Sequence, residues 1–170
     1  MRRMIIKLIL FFIFFALLII LCIPRSCAFA SSPDSKEVDR IKVKIYFLIS
    51  DEYCLNVDLV PVGRIVKNDL AEKLAWTVLE QLFNGPIEED SEKLDLWTAI
   101  PKGVKVNSVE IDNGVARIDL SLELQSYGGG SFSVFYIREQ IERTLKEFPS
   151  IEEVVITVEG KSEKDGVLQP

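Results

Sequence analysis

The chain is 170 residues long, with 26 acidic and 20 basic side chains, a formal net charge of −6 and no histidine. Without histidine, Ser-His-Asp and Cys-His catalysis and the usual zinc sites are excluded. The first thirty residues carry four basic side chains and no acidic ones; removing them leaves −10 for residues 31–170, a charge that phosphate backbones repel, so no nucleic-acid partner is expected.

Arg2, Arg3 and Lys7 stand before an almost purely apolar run, Leu8 to Ile23. A basic head followed by an apolar block reads as an export signal or a signal anchor. Three fates stay open. Ala28-Phe29-Ala30 has the small-x-small pattern of signal-peptidase cleavage, with Pro24 breaking the apolar helix upstream. With Met4 to Ile6 added, the run approaches the ~20 residues that span a bilayer, Lys7 snorkelling, so it can also stay as an anchor. Lipid attachment at Cys22 or Cys27 is the third, against which Leu21 before Cys22 is not small. All three place the chain from about Ser31 onward in an extracytoplasmic space, membrane-anchored or secreted after cleavage near Ala30. Residues 1–30 are thus read as signal or anchor, 31–40 as a polar linker, 41–160 as one domain and 161–170 as a flexible tail. Cleavage would leave Cys54 as the only cysteine, a partly buried filler with no disulfide partner.

Ile41, Val43, Ile45, Phe47 and Ile49 alternate with Lys42, Lys44 and Tyr46, a period of two that predicts a strand with one buried face. Leu59 to Val66 is a second extended stretch, confined by Pro61 and Gly63 to an edge or an irregular strand. Asp69 and Glu72 have capping-box spacing before a helical stripe of Leu70, Leu74, Val78, Leu79 and Leu82, and Asn84-Gly85-Pro86 ends that helix. Glu88 to Asp95 lacks calcium-loop spacing and reads as a solvated connection. Asn113-Gly114 is a two-residue hairpin turn. It pairs Asp112 with Val115, Ile111 with Ala116, Glu110 with Arg117, Val109 with Ile118 and Ser108 with Asp119, giving one dry face and one wet face that holds a Glu110–Arg117 ion pair. After Gly128, Gly129 and Gly130, Ser131 or Ser133 is expected to cap a second helix, with Phe132, Phe135, Ile137, Ile141, Leu145 and Phe148 on its buried side and Pro149 barring extension. A last strand runs from Val154 to Val158. Strands wet on one face with helices on the other predict a two-layer α/β sandwich, its sheet mixed or mostly antiparallel, with two helices packed on one face.

No set of residues announces chemistry. Ser-x-x-Lys is absent, and no carboxylate pair stands out among the 26. Gly128 to Ser131 could form an amide nest for an anion but lacks the lysine of a P-loop. No enzyme, cofactor or metal site is therefore expected. Val62 and Arg64 on the edge strand, with Tyr127 and Ser131 beside the glycine loop, are the candidate contact residues.

With these elements in order, the chain resembles the GerMN domain family over about residues 43–160. The resemblance is carried by LVPVGR at 59–64, LEQLFNGP at 79–86, TAIPKGVKV at 98–106, ARIDLS at 116–121, GGGS at 128–131 and RTLKEFPSIEEVVITVEG at 143–160. Two departures are Gly63, where a small hydroxyl residue would be expected, and a single domain copy in place of a tandem. The resemblance implies an envelope-anchored, non-catalytic module of spore-forming and related bacteria. Its relatives look like parts of protein assemblies between membranes, and it brings no catalytic residues to carry over. Envelope proteins are the partners this implies, with sporulation or germination as the setting. A small-ligand or cell-wall-glycan binding domain, built around Tyr127 and Gly128 to Ser131, is the alternative.

Overall fold

The computed structural model describes residues 39–51, 56–91, 94–128 and 130–169, so the export segment, residues 31–38 of the linker, Cys54 and Gly129 lie outside the described residues. The alternating run becomes β1 (Arg40–Ser50), paired antiparallel along its whole length with β2 (Val57–Lys67). Helix α1 (Ala71–Phe83), a short helix α2 (Glu88–Ser91) and strand β3 (Leu96–Trp97) follow. Then come the hairpin β4 (Val106–Asp112) and β5 (Val115–Leu120), a 3-10 turn at Leu122–Gln125, helix α3 (Ser131–Leu145) and β6 (Glu153–Val158).

The α/β class stands, but the strands form two sheets rather than one. The first has the order β2-β1-β3 and is antiparallel; the second is β4-β5-β6 and mixed. β5 and β6 are parallel, with Ile118 opposite Ile156. A parallel pair needs a long crossover, and α3 supplies it. α1 packs on β1, β2 and β4, α3 packs on β1 and β6, and the two helices touch each other. Their apolar stripes close one core, in which Ile45, Phe47, Leu79, Leu82, Ile118, Ile137, Ile141 and Leu145 are fully buried. The expected hairpin register holds from Ser108–Asp119 to Asp112–Val115. Ala116 and Ile118 are on its dry side, buried, while Glu110 and Arg117 face each other on the wet side without an ion pair.

Five local expectations differ from the structure. α1 begins at Ala71 with Leu70 as its cap residue, and Leu70 is exposed rather than part of the stripe. Asp69 sits too early for a capping box: its carboxylate accepts from the Leu70 N–H at 3.0 Å and pairs with Lys73 at 3.0 Å. α3 is entered through Gly130 at φ +90°, which places Ser131 inside the first turn, where no side chain caps the helix. Phe132 and Phe135 are 53% and 55% exposed. The buried line of α3 is Val134, Ile137, Gln140, Ile141, Thr144 and Leu145; Phe135 stands two residues from Ile137, about 200° round the helix. The tail expected to be loose is packed instead. Lys161 bridges to Val158, Ser162 and Asp165 form a capping box, and Val167 and Leu168 are buried in the core.

Candidate interaction site

Pro61 fixes the hydrogen-bond phase of the first sheet. A residue without an N–H fits a strand only where no ladder bond is due, and Pro61 lies opposite Tyr46. The main-chain groups of Tyr46 turn away from β2: its N–H donates to Thr144 Oγ1 at 3.1 Å, and its carbonyl accepts from Gln140 Nε2 at 3.1 Å. In an antiparallel ladder bonded and non-bonded pairs alternate. Lys42–Ile65, Lys44–Gly63 and Tyr46–Pro61 are therefore non-bonded pairs, whereas Val43–Arg64 and Ile45–Val62 exchange bonds. On β2 the groups facing outward belong to Pro61, Gly63 and Ile65.

This phase reassigns the candidate contact residues. Val62 and Arg64 turn their main chains to β1, not to the free edge. Val62 packs against the core opposite Ile45. The Arg64 guanidinium makes a bidentate pair with the Asp90 carboxylate, one arm at 2.9 Å, and both side chains are largely buried. Asp90 also accepts from the Ile87 N–H at 3.0 Å. The Arg64 bonds hold the Asp90 carboxyl below the usual carboxylate range despite its burial. One residue of the supposedly solvated acidic stretch thus clamps α2 to the edge strand. Tyr127 donates its hydroxyl to the Gln169 carbonyl at 2.7 Å and so holds the tail. Ser131 is exposed in the first turn of α3.

Two features were not foreseen. Gln140 and Thr144 are completely buried polar side chains on the inner line of α3. Besides its bond to Tyr46, Gln140 accepts through Oε1 from the Ala99 N–H at 2.9 Å and the Thr98 hydroxyl at 3.2 Å. Together with Thr144 it does the work of a neighbouring strand along the middle of β1. The only trace in the sequence is that two polar residues, 140 and 144, share the spacing of Ile137 and Ile141. The second feature is an aromatic corner. Phe132 and Phe135 meet Tyr136 edge to face, with ring centroids 4.7 and 5.0 Å apart. The Tyr136 hydroxyl is fixed on the Val57 carbonyl at 3.0 Å, tying the corner to the start of β2.

Other ionisable groups with shifted behaviour serve the fold. Burial pushes Asp119 up, but bonds from the Thr157 hydroxyl, the Gly160 N–H and Asn107 hold it below the usual range. Tyr46 donates to Glu147 Oε1 at 2.5 Å, which raises the phenol and lowers the carboxyl; Lys44 adds an ion pair at 3.1 Å.

Comparison with known proteins gives the same architecture. The tandem GerMN domains of the sporulation protein GerM from Bacillus subtilis superpose with a TM-score of 0.57 at 23% identity, over 79% of this chain and 43% of that one. This chain therefore spans less than half the length of that tandem. The first GerMN domain of the same protein gives a TM-score of 0.51 at 25% identity, over 72% of this chain and 85% of that chain. No curated protein matches. The Germane family, described as "Sporulation and spore germination", matches residues 44–164, and the chain belongs to that family.

Proposed function

We propose that the protein is an extracytoplasmic, membrane-tethered or secreted envelope component whose GerMN domain acts by holding other envelope proteins, in sporulation or germination. The family, the export-type N-terminal segment and the GerM likeness support the setting. The observation that carries the interaction reading is the aromatic corner. Phe132 and Phe135 are more than half exposed, yet their geometry is fixed through Tyr136. Large exposed rings on a rigid base are anchors for a partner, because they add contact area with little ordering cost. The chemistry of the domain is recognition, and no catalytic step is assigned to it.

The test places a photo-crosslinking amino acid at Phe132 of the full-length chain in sporulating cells. One defined envelope protein should be trapped, and Phe135→Ser should reduce its yield at least fivefold while leaving the urea midpoint unchanged. Absence of any protein adduct, together with sedimentation of the chain on purified cell-wall glycan, would replace this reading with glycan binding.

A further inference from the structure

β1 is sealed at one end of its second edge and open at the other. The N–H and C=O of Lys42 and Lys44 point to the same edge as those of Tyr46. α3 ends at Leu145, and β3 reaches only Leu48 and Ile49. The stretch Ile41–Lys44 therefore opens into a groove of about 410 Å³, whose far wall is Glu147, Phe148 and Pro149. Unpaired strand groups beside an apolar wall are a template for an added strand.

Charge selects what can enter. Lysines on an edge ordinarily block pairing with like strands, and Arg40, Lys42, Lys44 and Lys67 are all exposed at this end of the sheet. They form a basic corner on a domain that is strongly acidic as a whole. Lys42 has no carboxylate partner among the described residues. Its side chain crosses Gly63, where an added Cβ would come within 2.7 Å of the Lys42 Cε; the missing side chain lets the lysine lie flat on the sheet. Glu147 already sets one carboxylate against Lys44. With Lys44 already met by Glu147, Lys42 is the cation left to select, and on an incoming strand the residues on its face are favoured when acidic. Their alternates lie on the other face, where they extend the layer of Ile41 and Val43 toward Phe148, and are favoured when apolar.

Resting on the interaction reading above, we propose that Ile41–Lys44 accepts, as an added strand, an extended partner segment in which acidic and apolar residues alternate. The probe is an end-blocked eight-residue peptide of alternating Val and Glu, with a Val–Lys peptide as control, added to the isotope-labelled full-length chain. Amide exchange at Lys42 and Lys44 should slow at least tenfold with the Val–Glu peptide and stay unchanged with the control. Lys42→Pro removes a donor that β2 does not use, so it should abolish the protection without lowering the melting temperature by more than a few degrees; Lys42→Glu should weaken binding at least tenfold. No protection at these two amides, protection at Gly63 and Ile65 instead, or protection produced by self-association without peptide would each overturn the proposal. None of those results would touch crosslinking at Phe132, so failure here and failure of the broader reading are separable.

Discussion

The two halves of β1 follow one alternating pattern and end differently. From Tyr46 to Ile49 the second edge is closed, first by the side chains of Gln140 and Thr144 and then by β3. From Ile41 to Lys44 the same edge has no partner among the described residues and faces a groove. In the closed half, main-chain polarity is buried and must be matched side chain by side chain, because an unmet buried group costs about 1–3 kcal/mol. In the open half, water meets the same groups without penalty. Equal sequence patterns therefore carry unequal energetic consequences, and function is more easily built where the penalty is absent.

The comparison breaks most readily at Gln140. Gln140→Leu keeps roughly the volume but orphans the Tyr46 carbonyl and the Ala99 N–H and takes the acceptor from the Thr98 hydroxyl, which keeps only its bond from the Ile100 N–H, and should cost about 3 kcal/mol in urea unfolding. A loss under about 1 kcal/mol would mean that water or a local shift satisfies these groups. Thr144→Val is a milder version: it removes one acceptor from the Tyr46 N–H and should cost about 1–2 kcal/mol, with hydrogen exchange at Tyr46 accelerated.

The boundary between the halves has a pH signature. Glu147 is held low, chiefly by the Tyr46 hydroxyl, so its contribution is present above the unfolded carboxyl pKa of about 4.3 and is lost as pH falls through its folded value. Tyr46 is raised, chiefly by the same bond, so its contribution is present below about pH 10 and is lost as pH rises through its folded value. Tyr46→Phe should flatten both limbs, each by under about 1 kcal/mol because the pair is partly exposed. Stability curves of the two proteins that run parallel at both extremes would remove the bond from the account. The smallest effect belongs to the open half. Lys42→Pro should change stability by under about 1 kcal/mol, whereas Val43→Pro deletes a ladder bond inside the core and should cost at least about 3 kcal/mol.

The legible parts of the molecule were those set by neighbours in sequence. Asn113-Gly114 dictated the β4–β5 register pair by pair, since a two-residue turn leaves no freedom to slip. Pro61 limited β2 to an edge or an irregular strand, and the structure has it as a regular edge strand. Phe132 and Phe135 are apolar, so composition assigns them to a core that the helical angle denies them. Arg64 and Val62 were placed on the correct strand but on the wrong side of it, because extension alone gives no hydrogen-bond phase. The packing of the tail is not legible in the sequence, because Val167 and Leu168 form too short an apolar pair to show any period.

The sequence alone determined the acidic balance, the α/β order of elements and the family, because these depend on composition, local turn chemistry and periods of two and 3.6. Only the tertiary structure decided which edge of β1 is closed, which carboxylate takes Arg64, and where the exposed rings stand. Those outcomes pair residues as far apart as Tyr46 and Thr144. No local preference encodes such a pairing; it follows from how the helices settle on the two sheets.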